Sequence, residues 1–212
     1  MINSSPLRSL AKKTGTFYLI LKFCQKKKLH NWLKNGTTGP APQITKLNII
    51  KHYVKTQDPE VFVETGTYRG DTVEYIAKTG KRCITIELSK HYYTEAKKNL
   101  SKYKNIQVLQ GNSGKLLKEV IERENKRIVF WLDGHSSGGK TAQPEVDTPI
   151  IEELITIFNH PINQHTILID DARLFNGENG YPTLKRLLEI VEENGNYDTL
   201  IASDIIRLTP KY

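Results

Sequence analysis

What most constrains this chain is a rhythm. Five short apolar runs, Val61–Glu64, Arg82–Glu87, Ile106–Gln110, Ile128–Asp133 and His165–Asp170, alternate with stretches whose apolar residues recur at helical spacing. Runs of that length rich in Val and Ile suit buried strands, and strands alternating with helices build parallel βαβ units covered on both faces. The spacing predicts helices over Asp71–Lys78, His91–Tyr103, Leu116–Arg123, Glu145–Asn159 and Leu184–Glu193. Ser89 is placed to cap the second of these, and Pro149 suits the first turn of the fourth. Thr199–Ala202 and Ile205–Thr209 add two strands joined almost without a loop, hence an antiparallel hairpin. The expected fold is therefore α/β, a doubly wound, mostly parallel seven-stranded sheet closed by a C-terminal antiparallel hairpin.

The charge is divided unevenly. The net charge is +8, yet residues 1–55 hold eleven Lys or Arg and no Asp or Glu, leaving 20 basic against 23 acidic residues in the remainder. The high pI thus belongs to the N-terminal segment and is poor evidence that the body binds nucleic acid. Residues 1–42 read as a basic helical appendage and linker, with Gly36, Gly39, Pro40 and Pro42 marking the linker, and residues 43–212 read as one domain. The apolar run from Phe17 to Cys24 is broken by Lys22 and too short to span a bilayer. It reads as a helix packed on the domain, with weak contact of residues 12–34 with an anionic membrane surface as the alternative. No secretory cleavage pattern follows. Cys24 and Cys83 lack metal-like spacing, so a reducing cytoplasm is expected, with the inner membrane face as a peripheral location.

Around the first strand the sequence is Val61-Phe-Val-Glu64-Thr-Gly66-Thr67-Tyr68-Arg-Gly70. A carboxylate leads a turn in which Gly66 and Gly70 allow positive φ and close backbone approach, and a helix follows. Ligands of open α/β sheets bind in that crevice. A leading carboxylate repels a pyrophosphate but favours a ligand's cation or accepts from its hydroxyls. Glu64-x-Gly66-x-x-x-Gly70 resembles the first motif of class I S-adenosylmethionine-dependent methyltransferases, which have a Rossmann-like fold. Glu87 ends the second strand 23 positions after Glu64, where an acid can accept from both ribose hydroxyls; its alternative is a surface carboxylate. At Asn112 the family commonly carries an acid beside the adenine. An amide there departs from the pattern, and Ser113 could equally cap the next helix.

Two further motifs, Trp131-Leu-Asp133-Gly-His135 and Ile167-Leu-Ile169-Asp170-Asp171, set three carboxylates at the tips of the fourth and fifth strands. Unpaired they would repel, and a divalent cation with oxygen ligands, Mg²⁺ above all, would relieve this. In this the chain resembles metal-dependent O-methyltransferases of the macrocin and catechol types, a bacterial group often met beside glycan-assembly functions. The resemblance implies S-adenosylmethionine bound by Glu64, Gly66, Thr67, Tyr68, Gly70, Glu87, Asn112, Ser113 and Asp133, with Mg²⁺ on Asp133, Asp170 and Asp171. It also implies a small-molecule or glycan acceptor carrying a hydroxyl. The alternative for the aspartates is structural, Asp170 capping a helix and Asp171 pairing with Arg173 or a lysine. His135 could remove the acceptor's proton, and Asp133 belongs with it in the catalytic set. The small polar loop after His135, with Lys140, looks like a lid, and Tyr181 an opposing wall. Two other functions stay open: a metal-dependent hydrolase or hydroxylase on the same fold, and a non-catalytic peripheral protein docked by its basic helix.

Overall fold

A computed structural model describes residues 16–134 and 148–211. Seven strands form one sheet in the order β3-β2-β1-β4-β5-β7-β6. They are β1 (Val61–Thr65), β2 (Arg82–Glu87), β3 (Ile106–Gln110), β4 (Ile128–Leu132), β5 (Thr166–Ile169), β6 (Tyr197–Ala202) and β7 (Ile205–Pro210). The first five pair in parallel, and β7 runs antiparallel against both β5 and β6. This is the Rossmann-like, doubly wound sheet with its C-terminal hairpin, as the alternation of strand and helix patterns leads one to expect. The helices are α1 (Thr16–Lys34), α2 (Gln43–Gln57), α3 (Asp71–Ala77), α4 (Lys90–Leu100), α5 (Ser113–Ile121), α6 (Ile150–Phe158) and α7 (Leu184–Asn194).

The period-2 pleat sorts the strands' side chains onto two cores. Phe62, Cys83, Val129, Trp131 and Leu168 face Ile50 and Val54 of α2, Val73 and Ile76 of α3, and Ala96 and Leu100 of α4. Val63, Ile84, Phe130, Leu132 and Ile169 face Leu117 of α5, Leu154 of α6 and Leu187 of α7. Trp131 and Phe130 are both essentially inaccessible to water, one in each core. Truncating either to alanine would cost ~3–5 kcal/mol.

Two helix starts differ from the sequence expectation, each for a local reason. α5 begins at Ser113 rather than Leu116, because the Asn112 side chain caps it by accepting from the Gly114 N–H at 2.8 Å. Asn112, not Ser113, is thus the cap. α6 begins at Ile150, with Pro149 immediately before it rather than within its first turn; residues 145–147 lie outside the described part. The last turn of α1 carries the buried Trp32, whose Nε1 donates to the Gly39 carbonyl at 3.4 Å. No described helix is long and apolar enough to cross a membrane.

Candidate functional site

The parallel strands end level. The ladder continues one residue beyond each, with the Asp133 N–H donating to Thr65 O, the Asp170 N–H to Leu132 O (both 3.0 Å) and the Gly111 N–H to Glu87 O (2.9 Å). Glu64 and Glu87 fall in phase with Phe62 and Cys83, and Asp133 and Asp170 continue the phase of Trp131 and Leu168. Four carboxylates thus come to one edge on the side of the sheet covered by α2, α3 and α4.

The turn after β1 hangs on β2. The Gly66 and Thr67 N–H groups both donate to the Ile86 carbonyl, at 2.9 and 3.3 Å. Gly66 has φ +84°, and a Cβ there would sit 2.0 Å from the Asp133 carbonyl oxygen, so glycine is what lets the β1 and β4 ends close together. Tyr68 takes φ +49°, which turns its N–H onto Glu87 Oε2 at 2.7 Å. The Ser89 N–H donates to Glu87 Oε1 at 2.8 Å. Glu87 is therefore a carboxylate held in one plane by two backbone donors, with one lone pair on each oxygen left over. The Tyr68 ring is an exposed wall, its centre 4.6 Å from that of Tyr92 with the two planes tilted by 56°, and the Arg69 guanidinium lies 5.2 Å from its centre. Gly70 caps α3 at φ +80° and abuts Leu100.

Glu64 lies deeper than its neighbours, 1% exposed. Its Oε2 accepts from Thr85 Oγ1 at 2.6 Å, which leaves the Thr85 oxygen to accept from Thr67 Oγ1, also at 2.6 Å. Burial pushes the Glu64 carboxyl well above the usual range; the Thr85 bond opposes this, and the charges of Asp133 and Glu87 add to it. This favours a neutral acid until a cation faces it.

Oxygens of Asp133, Asp170 and Asp171 lie within 4.8 Å of one another. Their chemistry, three carboxylates and no sulfur or imidazole, fits a hard divalent cation. A cation of another kind already stands among them. Lys46, from the first turn of α2, places its Nζ 2.5 Å from Asp170 Oδ2 and 3.2 Å from Asp171 Oδ1. Burial alone would lower the Lys46 pKa, but Asp170, Asp171 and Asp133 together raise it, so the ammonium persists. Burial and Asp133 push Asp170 up, and Lys46 pulls against both. Asp171 also takes Arg173 Nη1 at 2.8 Å, and Arg173 reaches on to Asp204. The structural alternative is thus realised for Asp171, which pairs with both an arginine and a lysine, but not for Asp170, which caps nothing and instead accepts the Asp171 N–H at 2.9 Å. Tyr181 stands beside the cluster, its phenol raised by burial and then by Asp171 and Asp133. His135 and Lys140 lie outside the described residues.

Lys46 and Glu153 were not singled out from the sequence. Lys46 carried no signal, being 124 positions from Asp170. Glu153 did carry one, since it falls on the buried stripe Ile150, Glu153, Leu154, Ile157 of α6, an acid on an apolar face. It reaches the opposite side of the same edge, where its Oε1, Thr65 Oγ1 and Ser113 Oγ surround the position a Cβ on Gly134 would take.

Neither a protein-family model nor a curated protein matches this sequence. Solved structures do match the fold. A methyltransferase from Podospora anserina with bound S-adenosylhomocysteine superposes with a TM-score of 0.59 at 14% identity, over 94% of this chain and 97% of that one. This chain has a methyltransferase fold. An O-methyltransferase from Bacillus cereus, in complex with S-adenosylhomocysteine, gives 0.59 at 15% identity over 88% and 90% of the two chains. The O-methyltransferase TomG of Streptomyces achromogenes, in complex with S-adenosylmethionine, gives 0.57 at 12% identity over 88% of both. A methyltransferase fold that carries an acid at each of four adjacent strand ends has its polar groups where open α/β sheets take their ligands.

Proposed function

We propose that this protein is an S-adenosylmethionine-dependent O-methyltransferase acting on a sugar or other small hydroxyl-bearing acceptor, assisted by Mg²⁺. The observation that carries this is Glu87, whose carboxylate is fixed by the Tyr68 and Ser89 N–H groups at the mouth of the β1 turn, in a fold shared with cofactor-bound methyltransferases. The remaining lone pairs of Glu87 accept from two neighbouring ribose hydroxyls. Gly66 keeps the backbone clear for the methionine part, whose ammonium draws Glu64 toward its charged form through the polar Thr67–Thr85 relay. The Asn112 oxygen spends one lone pair on its cap and keeps the other to accept from the adenine's exocyclic amine. Ser113 and the exposed Tyr68 ring line the nucleoside's two sides.

Asp133, Asp170 and Asp171 are the residues that would hold Mg²⁺. Bound there, the ion would lower the pKa of the acceptor's hydroxyl and orient its oxygen. His135 completes the proposal as the base that takes the acceptor's proton, and the loop that follows it in sequence is the proposed lid over the acceptor. Alignment of acceptor oxygen, methyl and sulfur then supplies much of the acceleration. In the same proposal residues 12–34 make weak contact with an anionic membrane surface, to which the exposed Lys26, Lys27, Lys28 and Lys34 contribute.

Calorimetry with S-adenosylhomocysteine tests the cofactor. The wild type should bind, and Glu87→Ala should lose at least about tenfold in affinity, as expected when charge-assisted hydrogen bonds to hydroxyls are removed. Absence of binding to the wild type ends the proposal. Turnover should vanish with a chelator and return with Mg²⁺; full activity in excess chelator would leave the three aspartates a structural role.

A further inference from the structure

Lys46 sits where the proposed cation belongs, and the geometry shows how closely. Its Nζ contacts oxygens of both Asp170 and Asp171, at 2.5 and 3.2 Å, and these same side chains belong to the triad whose oxygens lie within 4.8 Å of one another. Asp170 is 2% exposed and Lys46 13%, so this is a desolvated pair rather than a passing surface contact. Mg²⁺ binds carboxylate oxygens at about 2.1 Å, while the Lys46 ammonium takes one lone pair of Asp170 Oδ2 and repels a dication brought to the same oxygens. The two cations therefore compete for the cluster. Lysine suits the part, because its charge is carried on a flexible four-carbon stem, unlike the rigid fork of an arginine.

We propose that the Lys46 ammonium is the resident counter-ion of the Asp170–Asp171 pair, and that a divalent metal binds by exchange with it. This rests on the metal reading above and adds a regulatory element to it. Without metal the cluster is not an open anionic cage: Lys46 and Arg173 offset part of its charge, and Lys46 ties α2 to the end of β5. With metal, Lys46 is released toward solvent beside the acceptor's side of the edge. Binding is then weakened by the fraction of time the lysine is seated, so a pair closed about nine-tenths of the time reduces the apparent metal affinity about tenfold.

The test uses the full chain and Mn²⁺ as the probe, with free Mn²⁺ read by electron paramagnetic resonance. Lys46→Gln should bind Mn²⁺ about tenfold more tightly than the wild type, although it is the less stable protein without metal. Its melting temperature should also rise more on adding Mg²⁺. The wild type supplies a second measurement that does not depend on the variant folding. Lys46 should be protected from an amine-acylating reagent without metal and become labelled when Mg²⁺ is added, as read by peptide mass spectrometry. Equal Mn²⁺ affinity in the two proteins, or labelling of Lys46 that Mg²⁺ does not change, overturns the exchange while leaving the metal site standing. Failure of both proteins to bind Mn²⁺ overturns the exchange and the metal reading together, and S-adenosylhomocysteine binding then decides whether the methyltransferase reading survives.

Discussion

Gly66 shows how much a single residue can settle. Its positive φ and the carbonyl of Asp133 2.0 Å from where a Cβ would stand are separate reasons for glycine, one local and one tertiary. Gly36 isolates the first, having φ +68° and no atom within 4 Å of a Cβ. Gly36→Ala should cost only the left-handed penalty, about 1 kcal/mol. Gly66→Ala should lower the urea midpoint much further, because the β1 and β4 ends must separate. Comparable midpoints for the two variants would mean that the close approach is not tight in solution. The glycine itself was legible in the sequence as a turn residue. Its contact with Asp133, 67 positions away, was not.

At the scale of elements, the lower end of the sheet contains a pair of histidines whose protons are assigned by their neighbours. The Ile128 N–H donates to His165 Nδ1 at 3.1 Å, so the His165 proton is on Nε2 and faces His160 Nδ1 at 3.0 Å. The His160 proton is then on Nε2 and is given to the Ile121 carbonyl at 2.9 Å. This chain links the end of α5, the start of β4, and the segment between α6 and β5, and it works only with both rings neutral. Burial, then His160, lowers the His165 pKa from 6.5 to about 3. Because the folded value is below the unfolded one, the unfolded chain takes the proton first. Stability is therefore fully present above pH 6.5 and falls as the pH drops toward about 3. The slope from this group approaches ~1.4 kcal/mol per pH unit. Urea midpoints between pH 7.5 and 4.5 measure it, and His165→Gln should flatten the dependence. An unchanged slope in that variant would assign the acid sensitivity to other groups.

Over the whole molecule, the question is how the basic N-terminal segment relates to the domain. α1 holds to the body through the buried Trp32, while Lys26, Lys27, Lys28 and Lys34 remain exposed on it. Trp32→Ala should speed proteolytic cleavage in residues 36–42 without moving the main melting transition, since Trp32 belongs to neither of the two sheet cores. A matching loss in the main transition would instead make α1 part of the cooperative unit. The exposed lysines predict weak sedimentation with anionic vesicles at low ionic strength, lost when the salt is raised, as screening demands. Absence of binding at low salt would confine the basic segment to packing on the domain.

What the sequence by itself determined is whatever rests on short-range period and chemistry. The strands, their parallel pairing, the closing hairpin and the polar residues ending four successive strands could all be read from runs of four to six residues, because apolar periodicity and glycine punctuation are local. Helix starts were less legible, since an Asn112 cap and an Asn at a cofactor position look alike until the Gly114 N–H is seen to be bonded. Only the tertiary structure decided that Glu64 is sealed beneath Thr85 while Glu87 faces the turn, and that Lys46 stands among the aspartates. Those facts depend on how a helix near the N-terminus packs against strand ends more than a hundred residues later, and no local pattern encodes that distance.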